Sequence, residues 1–260
     1  MNIQIQNFRS IQSLNQTLKM NDVNFVQNSD VLEAMAIGLS RSLPYLSTAY
    51  QRFIKQGRGF DANDNNASIT IQLNDVTWTC SNNGKGDEKQ LAQYCQSFIE
   101  LEYPSSPLFI YYDKDFFASE IKIDTKLDDG ENSSYPTTAM KNALANNTKS
   151  QIATWFWHRE NAELRSKQPD RILTCIRQFC KNIYINSNNE FVITHNNEKT
   201  LLSELPIQEQ NAIFITMDLI RRAMIARTNN KNMMVLIDNF KNYIEPIAKI
   251  LARDMTFITC

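Results

Sequence analysis

Met233-Met234-Val235-Leu236-Ile237 is a run of five apolar residues with no polar alternation. A strand of this kind needs cover on both faces, which places it inside a helix-flanked sheet rather than at a solvated surface. Leu108 to Tyr112 has the same character, and Met255 to Thr259 reads as a further strand. Helical spacing over about Ile207 to Arg227 and over Tyr243 to Ala252 alternates with these strands, the pattern of a parallel sheet. The opening of the chain reads differently. Ile3 to Phe8 alternates apolar and polar, and Leu14 to Leu18 and Val23 to Val26 follow as short extended segments. Ser68 to Leu73 and Val76 to Cys80 form a further strand pair around an Asn74-Asp75 turn. The fold class that results is α/β, a mixed sheet with flanking helices.

The intervening segments fill in the rest. Asn28-Ser29-Asp30 offers N-cap chemistry for a helix over Val31 to Leu43, and Tyr45 to Gln56 and Glu88 to Glu100 read as further helices. Asp113 to Pro136 is polar and irregular; helical segments follow over Thr137 to Ser166, with a break, and over Asp170 to Lys181. Ile183 to Ile185 and Glu190 to Thr194 are strand-like. A single domain over residues 1–260 is expected, with a core of about 1–112 and 183–260 and a helical insertion of about 113–182.

Composition excludes several classes. With 42% hydrophobic and 21% charged residues, the chain is not disordered as a whole. A net charge of −1 gives no general attraction to nucleic acid. No apolar run spans a bilayer, and Met1-Asn2-Ile3-Gln4 lacks a basic-then-apolar leader, so a soluble cytoplasmic protein is expected. The five cysteines, at 80, 95, 175, 180 and 260, contain no CxxC pair, and the two histidines, His158 and His195, lie far apart. Neither a metal site nor a cofactor is expected, and buried free thiols are. Glycine is scarce, at 6 in 260 residues. A loop that wraps phosphate with backbone amides needs several.

Four stretches carry a family resemblance. Ile3-Gln4-Ile5-Gln6-Asn7-Phe8-Arg9-Ser10-Ile11 resembles the first strand of the SMC-like branch of ABC ATPases, which includes the overcoming-lysogenization-defect type and related prokaryotic defence ATPases. Val23 to Val26 followed by Val31 to Leu39 is similar to that family's strand and the helix after its phosphate loop. Leu202-Ser203-Glu204-Leu205, Glu209-Gln210, Asp218, Arg221 and Arg222 resemble its signature loop and helix, and Met234 to Asp238 its Walker B strand. Thr256 to Thr259 resembles the strand that leads to its switch histidine, and Thr154-Trp155-Phe156 with Arg159-Glu160 a helical segment common in these proteins. The resemblance implies an ABC-ATPase-like fold that pairs head to head with itself or with an active ATPase relative.

The departures from the family pattern bear on chemistry. A phosphate loop requires glycine amides, a lysine and a Ser/Thr for Mg²⁺. Gln27, Asn28, Ser29 and Asp30 stand where it is expected, without Gly or Lys and with a carboxylate. Pro206, Ile207 and Gln208 replace the signature residues, and proline has no amide to donate. Asp238 is retained, but Asn239 replaces the glutamate that polarises water, and an amide accepts no proton as a carboxylate does. The position after Thr259 is Cys260 rather than histidine. These losses imply a catalytically inactive ATPase-like scaffold or regulatory subunit that acts through protein–protein contact, with an antiphage complex as the setting suggested by analogy.

Two rival readings follow from other residues. Arg221, Arg222, Arg227 and Lys231 make a basic end to the long helix that could contact nucleic acid, although cations there also suit the helix dipole. Asp113, Asp115 and Glu120 could hold a cation for a metal-dependent nuclease, although acids at the exit of a strand are usually solvated. Trp155-Phe156-Trp157 concentrates aromatics for a core seam or a partner surface.

Overall fold

The computed structural model describes residues 1–40, 60, 66–73, 76–82, 108–126, 143–144, 147–195, 198–226, 233–238 and 255–260. The expected helices at 45–56, 88–100 and 243–252, and the turn at 74–75, lie outside them.

The described residues form a mixed α/β fold with three sheets. The first is antiparallel, in the order β2-β1-β4-β5, from β1 (Asn2–Phe8), β2 (Ile11–Thr17), β4 (Ser68–Leu73) and β5 (Val76–Ser81). Alternation in β1 sends Ile3 and Ile5 inward, and Phe8 follows out of step after Asn7, whose φ is 49°; they lie with Ile69, Ile71 and Trp78, all buried. The second sheet is wholly parallel, in the order β3-β11-β10-β6, from β3 (Val23–Phe25), β6 (Leu108–Tyr112), β10 (Met233–Ile237) and β11 (Met255–Thr259). Every residue of β6 and β10 is buried, as uninterrupted apolar runs require.

Helix α1 (Ser29–Ser40) packs against β1, β4 and β10, so it touches both sheets. That double contact explains why all of Val31 to Ser40 is buried, well beyond one apolar stripe. Gly38 makes the close approach possible. A Cβ there would sit 2.5 Å from Ile71 Cδ1, and Trp78 Nε1 donates to the Gly38 carbonyl at 3.0 Å.

The remaining helices are α2 (Lys114–Ala118), α3 (Lys149–Ser166), α4 (Arg171–Phe179) and α5 (Ile207–Ala226). Asp170 caps α4 by accepting from the Ile172 and Leu173 amides at 2.8 and 3.0 Å. The segment after β6 is not wholly irregular as expected: Asp113 accepts from Phe116 N at 2.8 Å and starts the short α2. Residues 119–124 then run extended along α3, tied by Lys122 N to Ser150 Oγ and Asp124 N to Thr154 Oγ1, both at 3.0 Å. The third sheet is antiparallel, β7-β8-β9, from β7 (Tyr184–Ile185), β8 (Phe191–His195) and β9 (Glu198–Leu201). β9 escapes a hydropathy reading because Glu198-Lys199-Thr200 is polar; its pairing with β8 forms it.

Under the parallel sheet lies a buried polar cluster centred on Asp218. Its Oδ1 accepts from Arg221 Nε and Nη2 at 3.0 and 2.6 Å, and its Oδ2 from Arg222 Nε at 2.8 Å, Tyr112 OH at 2.9 Å and Asn147 Nδ2 at 3.2 Å. Burial alone would raise the Asp218 pKa, but Arg222 and Arg221 outweigh it and hold the carboxyl down to about 2. Burial, with the charge of Asp218 beside it, pushes the Tyr112 hydroxyl well above its ordinary value. This cluster fastens α5 to β6.

Candidate functional site

The parallel strands end in register. Ile237 aligns with Tyr112 and with Thr259, and Thr259 aligns with Phe25. Asp238, Asp113, Cys260 and the start of α1 are therefore brought to one edge, where open α/β sheets place their ligands. Ser29 and Asp238, 209 residues apart, meet there: Ser29 Oγ donates to Asp238 Oδ1 at 2.7 Å. Cys260 Sγ donates to the same oxygen at 3.4 Å and lies 3.8 Å from Ser29 Oγ. Asp238 is 6% exposed, whereas Ser29 is exposed.

The connection from β3 to α1 is Val26, Gln27 and Asn28. Val26 N still donates to Thr259 O at 2.8 Å, which extends the pairing with β11, and the Val26 side chain is buried. Asn28 Oδ1 accepts from Val31 N at 3.2 Å, so Asn28 is the helix cap. Gln27 alone is left as the turn. No stretch of backbone remains to encircle a phosphate.

Acids occupy the positive end of the helix instead. Asp30 accepts a short hydrogen bond from Ser10 Oγ and lies 3.6 Å from Arg9 Nη1, which also meets Glu33 Oε2 at 2.7 Å. Arg9 is stacked over the Phe8 ring at 4.9 Å. The β1–β2 turn thus clamps the first turn of α1. Sequence reading used Phe8-Arg9-Ser10 only as a strand marker and missed this role; the signal was an Arg-Ser pair at a two-residue turn together with Asp30 and Glu33 on one helix face.

The nucleotide that the family resemblance implies does not fit these residues. Asp30 puts a carboxylate at the start of α1, Gln27 is the one unengaged turn residue, and neither Gly nor Lys lies between Val26 and Val31. Among the described residues no three of His, Cys, Asp and Glu converge as a metal would need.

The other expected site residues fall elsewhere. Pro206 starts α5, with its carbonyl accepting from Glu209 N at 2.9 Å and Gln210 N at 3.1 Å; Pro206, Ile207 and Gln208 are exposed. Arg221 and Arg222 are 6% and 1% exposed and engaged with Asp218, which corrects their reading as a nucleic-acid surface: a guanidinium so enclosed cannot reach a phosphate. Asn239, Arg227 and Lys231 lie outside the described residues. Asp113 is engaged as a helix cap, and exposed Glu120 is paired with Lys122 at 2.6 Å, so Asp113, Asp115 and Glu120 form no cation cage among the described residues. Trp155 and Phe156 belong to the core; Trp155 lies between Arg159 and Arg221, 5.5 and 5.3 Å from its ring.

No family model matches the chain, and no curated protein matches it. Among solved structures it is similar to the recombination mediator protein RecF–ATPrS in the RecFOR pathway, with TM-score 0.48 and 11% identity, covering 100% of this chain and 91% of that one. It is also similar to RecF–ATP in the same pathway, with TM-score 0.46 and 12% identity, covering 100% and 92%. Likeness at that level carries no weight for function. What fits an ABC-ATPase-like fold is the topology itself: the three segments that resemble the family's phosphate-loop, switch and Walker B strands lie side by side as β3, β11 and β10. No helix among the described residues is long and apolar enough to cross a membrane.

Proposed function

We propose that this chain is an ATPase-like domain that neither binds nor hydrolyses ATP and works as a scaffold or regulatory subunit through protein–protein contact. One observation carries the reading: the β3–α1 connection is Val26-Gln27-Asn28, with Val26 engaged by β11 and Asn28 engaged as the cap. The hydroxyl and carboxylate that would share a Mg²⁺ ion in an active relative, Ser29 Oγ and Asp238 Oδ1, lie 2.7 Å apart. Mg²⁺ at such sites is held by one or two carboxylates together with substrate phosphates, and here the phosphates have no cradle. A role in an antiphage complex, with the chain itself or an active ATPase relative as partner, extends this by analogy.

The test is calorimetric titration of the purified protein with ATP and Mg²⁺, with melting temperature followed in parallel. No heat of binding and no shift in melting temperature is the expected result. Micromolar binding, or turnover that Asp238→Ala abolishes, overturns the proposal.

A further inference from the structure

Strand β2 is an edge of the antiparallel sheet, bonded to β1 and to no other strand among the described residues. Met1 and Leu18 exchange both backbone bonds, Met1 N to Leu18 O at 3.1 Å and Leu18 N to Met1 O at 2.8 Å. Hydrogen-bonded pairs alternate along an antiparallel ladder, so Ile3/Gln16 and Ile5/Leu14 are the next bonded pairs inward. The amides and carbonyls of Ser13, Asn15 and Thr17 therefore face away from β1, and all three residues are exposed. Natural edges are usually blunted by Lys, Pro, a charge or a bulge. Gln12 to Thr17 has neither charge nor proline.

We infer that β2 is a docking edge for a second copy of this chain, joined antiparallel about a two-fold axis at Leu14. That register sets Ser13 of each copy opposite Asn15 of the other, so the outward amides and carbonyls bond to one another. It sets Gln12 opposite Gln16, and Leu14 opposite its own counterpart on the face already packed against the core. A two-fold at Leu14 sets only Leu14 opposite itself, and with only uncharged side chains the strand brings no repulsion to any pair across the seam. A strand from a charged partner would find no charge here to recognise it. Phe25, 65% exposed, lies at the same edge, its carbonyl accepting from Gln16 Nε2 at 3.0 Å, and pairing adds cover for its ring. The result is one eight-stranded antiparallel sheet shared by two chains. This inference does not rest on the nucleotide reading, since a protein that binds ATP could pair in the same way.

The test measures solution mass by light scattering and amide exchange by mass spectrometry, on the wild type and two variants. Asn15→Pro removes an outward amide without removing a bond to β1, and Ser13→Lys sets a charge on the edge. The expected wild-type mass is twice 30.1 kDa, with slowed exchange at Ser13, Asn15 and Thr17. Both variants are expected to keep the fold by circular dichroism, lose that protection and dissociate at least about tenfold more readily, which matches about 1.4 kcal/mol. A wild type that is monomeric at about 100 μM, or a dimer that survives both substitutions, overturns the inference. So does protection of these amides that arises only when a different protein is added, which would give the edge another occupant.

Discussion

Ser29 and Asp238 lie 209 residues apart in the chain and share a hydrogen bond of 2.7 Å at the end of the parallel sheet. On the proposed reading neither residue holds a ligand and the bond contributes to stability, a charged acceptor making it stronger than a neutral one. Ser29→Ala is expected to cost about 1 kcal/mol and Asp238→Ala about 1–3 kcal/mol, because Asp238 also accepts from the Cys260 thiol. Urea unfolding of both variants and of the double variant measures the coupling, expected at about 1 kcal/mol. Full additivity would mean that the pair is only adjacent.

The Asp218 cluster sets the acid limit of the fold. A carboxyl whose folded pKa is depressed adds stability above its unfolded value and loses it as pH falls through the folded one. With the ordinary value at 3.8 and the folded value at about 2, the loss is expected between about pH 4 and pH 2. Asp218→Asn should remove that pH dependence and cost about 3–5 kcal/mol at neutral pH, since two buried guanidinium groups lose their acid. Denaturant midpoints across pH 2–7 check both. Arg222→Met is expected to unfold the protein more readily without acting through nucleic-acid affinity.

Lys149 has the opposite sign at the other end of the scale. It is 3% exposed, and its Nζ donates to the Phe117 carbonyl at 3.1 Å and to Asn211 Oδ1 at 3.3 Å, both neutral acceptors. Burial lowers its pKa from the ordinary 10.5. A lysine with a lowered folded pKa penalises the fold while charged, and the penalty is relieved as pH rises through the folded value towards 10.5. Wild type should therefore gain stability relative to Lys149→Met as pH is raised from 7 to 10.5, read from melting temperatures. A constant difference would show that the ammonium is solvated after all.

Gly38 is where α1 comes closest to the antiparallel sheet. Gly38→Val is expected to cost about 2–3 kcal/mol by forcing Ile69 and Ile71 from their places. Gly38→Ala should be milder, because about 1 kcal/mol of helix propensity offsets the crowding. Thermal melts of the two variants give the order, and a valine variant as stable as wild type would mean that the two layers slide apart freely.

Strand and helix existence was legible wherever one face or both faces were apolar, as at Ile3 to Phe8, Leu108 to Tyr112 and Met233 to Ile237. The site was legible only in part. A helix cap within Asn28 to Asp30 and the poverty of the Gln27 to Asp30 loop followed from residue types alone, and the structure gives the cap to Asn28. The clamp from Arg9 and Ser10 onto Asp30 and Glu33 did not, because pairing across 20 or more residues has no periodic signature. Arg221 and Arg222 misled for a related reason. On a helical wheel, charge at the end of an apolar helix suggests solvent, and only the fold reveals that Tyr112 and Asn147 enclose them with Asp218. β9 was invisible to hydropathy because its existence depends on a neighbouring strand.

The order β3-β11-β10-β6 also says something about how the molecule is made. β11, from Met255, enters between β10 and a strand that ends at Phe25, so the sheet joins segments more than 200 residues apart. Closing so wide a loop is slow, and until it closes β3 and β10 each offer an unpaired edge. This sheet therefore cannot be completed until β11 has been made, and the strand that completes it is a central one.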